Sequence, residues 1–161
     1  MRVALVGFGR VGKAFVKLLS DKKNYLVDIG LDISLTYIMN SSGGVHNPLG
    51  IDYTTILNHD ALGGKLLDYP HGGSPKVNFN YLVNEGGVDL LVEATPTCKK
   101  TGEPGMTHVR KALEKGIHVV TANKGPILRA YKSLNRLAAQ KRVQLCVGCT
   151  TGGALPTINA G

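Results

Sequence analysis

Gly7-Phe8-Gly9-Arg10-Val11-Gly12 carries the spacing G-x-G-x-x-G close to the N-terminus. Between a strand and a helix, that spacing has a definite chemical use. The first glycine permits a tight turn, the second leaves the main chain bare where a diphosphate approaches, and the third lets the helix lie close to the sheet. Free N–H groups at the helix start, with the positive end of its dipole, then hold the phosphates. The flanking residues supply this context. Arg2 to Val6 reads as a buried strand, and Arg10 to Ser20 places Val11, Ala14, Phe15, Leu18 and Leu19 on one helical face. An ordinary glycine-rich turn is the competing reading.

Three further polar segments sit where predicted strands end: Thr95-Pro96-Thr97, Thr121-Ala122-Asn123-Lys124-Gly125-Pro126, and Cys149-Thr150-Thr151-Gly152-Gly153. In open parallel sheets, ligands lie beyond the carboxyl ends of the strands, so the four segments point to a cofactor cleft. Lys124 is the basic side chain placed directly after a strand, suited to orienting a carboxylate or carbonyl or to donating a proton. Asn123 has two readings, a hydrogen bond to a nicotinamide carboxamide or a cap on the helix that follows. Glu93 ends an apolar strand, where a carboxylate must be paired or reach the cleft. Asn40-Ser41-Ser42 follows the second strand, where a carboxylate would bind a ribose 2′-OH and repel a 2′-phosphate. No carboxylate stands there, so the balance tips to NADP over NAD, with a plain turn as the alternative.

These segments need elements to position them. Short apolar runs alternate with longer helical patterns, the pattern of βαβ units. The predicted fold is α/β, a doubly wound Rossmann-type parallel sheet with helices on both faces. Strands are expected over 35–39, 88–94, 117–121 and 143–147, with a further strand over 76–81. The segment 40–50 reads as loop, 52–67 as one or two short helices, and 69–74 as turns. Pro104 suits the first turn of a helix reaching Lys115, with Gly116 as its stop. Glu103 and Lys111 complement that helix's dipole. Pro126 starts another helix, with Ile127, Tyr131, Leu134 and Ala138 on its apolar face.

The 161 residues are 43% hydrophobic, enough for a real core, and one domain is the default. The net charge of +8 is spread along helix faces at Lys111, Lys115, Arg129, Lys132 and Arg136, with little aromatic interleaving. That argues for attraction of an anionic cofactor and against nucleic acid. No run is long and apolar enough for a membrane helix. The three cysteines form no framework and no metal-ligand set; buried reduced thiols in a cytoplasmic protein are expected.

Together, Glu93-Ala94-Thr95-Pro96-Thr97, Thr101-Gly102-Glu103-Pro104-Gly105, Thr121 to Pro126 and Gly152-Gly153-Ala154-Leu155-Pro156 resemble the signature segments of homoserine dehydrogenases, in the family's order. Asn47-Pro48-Leu49-Gly50-Ile51-Asp52 is similar to a family loop after the second strand. The resemblance implies NAD(P)-dependent interconversion of L-homoserine and L-aspartate 4-semialdehyde. It implies that the loop of Gly7, Phe8, Gly9, Arg10, Val11 and Gly12 holds the pyrophosphate. Thr95, Pro96 and Thr121 would line the cleft, Asn123 would lie near the nicotinamide, and Lys124 would stand at substrate and cofactor. It further implies a monovalent cation such as sodium at Thr151, Gly153 and Leu155, although Gly148 stands where the family usually has Glu. Residues 1–150 then form the NAD(P)-binding domain, and 151–161 begin the connection to a substrate and dimerisation domain. The partners implied are the small-molecule substrate and either a second copy or a complementary substrate-domain chain. A stand-alone NAD(P)-binding module without dehydrogenase activity is the alternative reading.

Overall fold

The computed structural model describes residues 1–148. The chain divides into two compact units, Met1–Leu90 and Leu91–Gly161.

In the first unit, β1 (Arg2–Val6) leads through the glycine turn into α1 (Arg10–Asp21) and α2 (Lys23–Asp28), and the chain returns as β2 (Ser34–Asn40). β3 (Gly43–His46), α3 (Tyr53–Ala61), a 3-10 turn (Leu66–Asp68), β4 (Gly73–Ser74) and α4 (Phe79–Glu85) follow. β1 and β2 are parallel, from Arg2 opposite Ser34 to Val6 opposite Met39. β2–β3 and β3–β4 are antiparallel, giving the strand order β4-β3-β2-β1. Val3, Ala4, Leu5 and Val6 are all buried, as a continuous apolar run must be when both faces of a parallel strand are covered.

Three expectations change here. The segment read as loop after β2 contains β3, because Asn40 and Gly43 close a tight hairpin. The strand expected over 76–81 is instead the start of α4. Val77, Phe79 and Tyr81 alternate as a strand would, but the Asn78 side chain accepts the Tyr81 N–H at 3.1 Å and caps a helix that buries Phe79 and Leu82. The buried face of α1 is Gly12, Val16 and Leu19, while Val11 and Leu18 are more than half exposed. The helix meets the sheet through its glycine, so the stripe is rotated from the one that the large residues suggest. α2 buries none of its residues and so leaves no amphipathic signature.

In the second unit, β5 (Leu90–Glu93), β6 (His118–Thr121) and β7 (Leu145–Cys146) follow the order β5-β6-β7, with β6 and β7 parallel. α5 (Gly105–Glu114) and α6 (Lys124–Lys141) connect them and pack together. Pro104 is the N-cap of α5 rather than part of its first turn, and the Glu103 carboxylate accepts the Thr107 N–H at 3.0 Å. α6 kinks at Ala130, which leaves Tyr131 exposed while Leu134 and Ala138 remain buried. β7 is shorter than the 143–147 expected. Cys98 and Cys146 are exposed rather than buried, one in the loop after β5 and one on the short β7. The mostly parallel α/β pattern, seven strands with intervening helices among the described residues, is Rossmann-type. Among the described residues, no helix is long and apolar enough to cross a membrane.

One aromatic stack gives the first unit a pH dependence. The His46 ring stacks on that of Tyr37, with centroids 4.0 Å apart and planes nearly parallel, and its Nδ1 is 3.3 Å from the Tyr81 hydroxyl. Burial pushes the Tyr37 phenol up to about 12 and holds the His46 imidazolium below its ordinary range, with Glu85 opposing the latter in part. An unfolded chain therefore binds this proton more readily than the folded one. The stability contributed is full above the unfolded value of about 6.5 and is lost as pH falls through the lower folded value. Asp52, held down by Thr55, and Asp89, held down by Arg2, add losses only below about pH 4. Denaturant midpoints should thus drop between about pH 7.5 and pH 5, and His46→Phe should abolish that first drop while sparing the acid one. A wild-type midpoint that is flat across this interval would contradict the assignment.

Candidate functional site

The glycine turn lies in the first unit, and its three glycines answer to different constraints. Gly7 has a φ of 106°, a region that L side chains avoid, and its N–H is tied to the Met39 carbonyl at 2.9 Å. A Cβ at Gly12 would stand 2.0 Å from the Gly7 carbonyl oxygen, so no side chain fits. Gly9 is different. Its φ of −91° and ψ of −158° are open to any residue, and a Cβ there would meet nothing within 4 Å. The fold does not require glycine at this position; a ligand resting on the main chain would. α1 also has no side-chain cap and no acidic residue in its first turn, whereas Asp52, Asn78 and Asn123 cap α3, α4 and α6. Free amides and the helix dipole therefore face outward.

The other residues of the segment divide. Phe8 is buried, beneath the Lys13 ammonium that also pairs with Asp60 at 2.6 Å, so its side chain belongs to the core. Arg10 and Val11 are exposed beside the turn. Asn40, Ser41 and Ser42 form the β2–β3 turn, with the Asn40 side-chain oxygen accepting the Ser42 N–H at 2.9 Å. All three side chains are exposed.

The second unit contains a closed polar network around Glu93, which is fully buried at the end of β5. Glu93 Oε1 accepts the Thr95 N–H at 3.1 Å and also the Thr95 hydroxyl. Its Oε2 accepts the Thr121 hydroxyl at 3.1 Å, and His108 Nδ1 lies 3.6 Å from Oε1. Glu93 is thus paired, the first of the two outcomes its position allowed. Asn123 is equally committed. Its Oδ1 accepts Gly125 N–H at 3.0 Å and the Thr97 hydroxyl at 2.9 Å, and its Nδ2 donates to Thr95 O and Oγ1, both at 3.2 Å. The capping alternative for Asn123 is therefore realised. Thr121 is buried, donating to Glu93 and accepting the Asn123 N–H at 3.0 Å. Thr95 is half-buried, while Pro96, Thr97 and Lys124 are exposed.

Sequence reading gave no role to Gly102, Gly105 or His108. A Cβ at Gly105 would stand 2.4 Å from Asn123 Nδ2 and 3.2 Å from Glu93 Oε2; one at Gly125 would stand 2.8 Å from the Gly102 Cα. The paired glycines of Thr101-Gly102-Glu103-Pro104-Gly105 were the available signal, since they let this segment close over the Asn123 amide. In the adjoining loop the Cys98 thiol is pulled below its ordinary range, chiefly by the Thr101 hydroxyl and then by nearby backbone N–H groups. Thr151, Gly153 and Leu155, proposed for a cation, lie outside the described residues, as does Cys149.

The family model for the homoserine dehydrogenase NAD-binding domain matches residues 7–148, from the first glycine of the turn to the end of the described chain. The chain belongs to the homoserine dehydrogenase family. It is 35% identical over 159 residues to the homoserine dehydrogenase of Methanocaldococcus jannaschii, covering 99% of this chain and 47% of that one. It is 33% identical over 139 residues to an NAD(+)-dependent homoserine dehydrogenase of Pseudomonas canavaninivorans, covering 85% and 39%. A crystal structure of an Archaeoglobus fulgidus protein assigned as a homoserine dehydrogenase matches with a TM-score of 0.81 at 26% identity, over 99% of this chain and 45% of that one. The chain spans about half the length of the curated relatives it matches.

The Glu93 network makes a stability prediction. In Glu93→Gln an amide N–H2 replaces one oxygen and faces either the Thr95 donors or the Thr121 hydroxyl, leaving a buried donor unsatisfied. Urea denaturation should show a loss of about 1–3 kcal/mol. The same change at exposed Glu114 should cost less than about 0.5 kcal/mol. Equal, small effects at both positions would show that the carboxylate is not the hub.

Proposed function

We propose that this chain is the cofactor-binding portion of a homoserine dehydrogenase, acting in the NAD(P)-dependent interconversion of L-homoserine and L-aspartate 4-semialdehyde on the route to threonine and methionine. The observation that carries this reading is Gly9, a glycine that the backbone does not need, at an uncapped helix start. A diphosphate fits that bare surface, held by the main-chain N–H groups of Gly9, Arg10, Val11 and Gly12. When bound, the nicotinamide supplies hydride transfer. The chain's residues do the positioning. Thr95 and Pro96 wall the nicotinamide side, and Asn123 and Thr121 fix that wall from behind. Lys124, exposed at the first position of α6, orients the substrate carbonyl or carboxylate and holds a proton near it. The reaction and its substrates are inferred from family membership.

At the β2–β3 turn, Asn40, Ser41 and Ser42 offer N–H and O–H groups and no carboxylate, so a 2′-phosphate is tolerated and NADP is favoured over NAD. The dinucleotide-binding domain is assigned to residues 1–150, with 151–161 leading to a substrate and dimerisation domain and a sodium ion held by backbone near Thr151, Gly153 and Leu155. The setting inferred is cytoplasmic, with a second copy or a substrate-domain chain as protein partner.

Gly9→Asn tests the reading. Asparagine is at least as good an N-cap as glycine, so stability should stay within about 0.5 kcal/mol. The new side chain occupies the diphosphate surface, so NADPH affinity, read by fluorescence titration, should fall about tenfold or more. Unchanged affinity would remove the turn from the site. The chain alone, as a cofactor-binding portion, should bind NADPH without homoserine-dependent NADPH formation; turnover that appears when a complementary substrate-domain chain is added would separate the dehydrogenase from a stand-alone module.

A further inference from the structure

The second unit's network fixes the direction of every hydroxyl proton in it, and that direction has a consequence for recognition. Gly125 N–H can only donate, and Thr95 O can only accept, so the Asn123 amide has one allowed orientation, Oδ1 toward Gly125 and Nδ2 toward Thr95. With Oδ1 fixed as an acceptor, the Thr97 hydroxyl must donate its proton to it. With Nδ2 donating to Thr95 Oγ1, the Thr95 hydroxyl must send its own proton elsewhere, and it goes to Glu93 Oε1. Thr121 follows the same logic, accepting from Asn123 N and donating to Glu93 Oε2. All three protons point inward. Thr97, which is exposed, is left with its lone pairs and no proton to give outward.

Asn123 has both ends of its amide engaged, Oδ1 by Gly125 N–H and the Thr97 hydroxyl and Nδ2 by Thr95, so it serves the loop and the helix start. We propose that Thr97 Oγ1 is the acceptor for the amino group of the cofactor's nicotinamide carboxamide, and that Asn123 and Glu93 are positioning residues that hold its hydroxyl in this acceptor state. The inference rests on the dinucleotide reading above and deepens it. Thr97 lies just beyond the carboxyl end of β5, where a parallel sheet presents its ligands. An acceptor-only group there favours an N–H donor and disfavours a ligand that presents a carbonyl or a methyl instead.

The test compares NADP+ with its 3-acetylpyridine analogue, in which a methyl group replaces the carboxamide amino group. Calorimetric titration of the wild type should show preference for NADP+ by about three- to tenfold, the worth of one hydrogen bond. Thr97→Val is isosteric at an exposed position; it should bring the ratio close to one, and Thr97→Ser should restore it. A general packing defect would weaken both ligands together and leave the ratio intact. If the wild type binds both equally, or if Thr97→Val keeps the preference, this inference is overturned while the dinucleotide reading stands. If the wild type binds neither, the dinucleotide reading itself fails.

Discussion

A distance of 2.0 Å, from a hypothetical Cβ at Gly12 to the Gly7 carbonyl oxygen, sets the geometry of the first unit. Only a helix that is bare at that point can start so close to the end of β1. The approach turns α1 so that Gly12, Val16 and Leu19 face the sheet, and it aims the helix's unsatisfied amides beyond the strand end. Gly7, with its positive φ, makes the turn that delivers them. Gly9 then has no structural duty, and that freedom is what makes it informative: two glycines serve the fold and the third is left for the proposed diphosphate.

The second unit solves a different problem. A carboxylate ends a buried strand, and burying a charge without partners is costly. Glu93 is surrounded by donors instead: one backbone N–H and two hydroxyls, with His108 nearby. Asn123 ties the far side of the same network to the start of α6, and Gly105 makes room for both. The result is a loop after β5 held from behind by bonds whose polarity is fixed. Electrostatics at longer range fits an anionic ligand too. α6 carries Lys124, Arg129, Lys132, Arg136 and Lys141 and no acidic residue, so counter-charge must come from elsewhere.

Much of this was legible in the sequence where a residue type has few physical uses. The glycine spacing after an apolar strand gave the turn and α1; Asn123 before Gly125-Pro126 offered the cap as one of two uses; Glu93 at the end of β5 had either to be paired or to reach the cleft. Where one pattern serves two structures, the residues alone do not decide between them. Val77, Phe79 and Tyr81 alternate like a strand until the Asn78 cap decides for a helix. The large residues of α1 imply a stripe that the close approach at Gly12 overrides. α2 buries nothing and so left no trace. In the site, Gly102, Gly105 and His108 escaped notice because their work depends on contacts far apart in sequence. The hydrogen bonds of Asn123, which the sequence leaves open between a cap and a ligand, could be assigned only once Gly125, Thr95 and Thr97 were seen to engage both ends of its amide.

The central claim is that main-chain amides at the start of α1 receive a diphosphate. Backbone amide chemical-shift mapping during titration with NADPH reads this most directly. The account predicts that the largest changes fall on Gly9, Arg10, Val11 and Gly12, with slowed hydrogen exchange at those amides. Saturable binding that leaves these four signals in place while shifting others would contradict it.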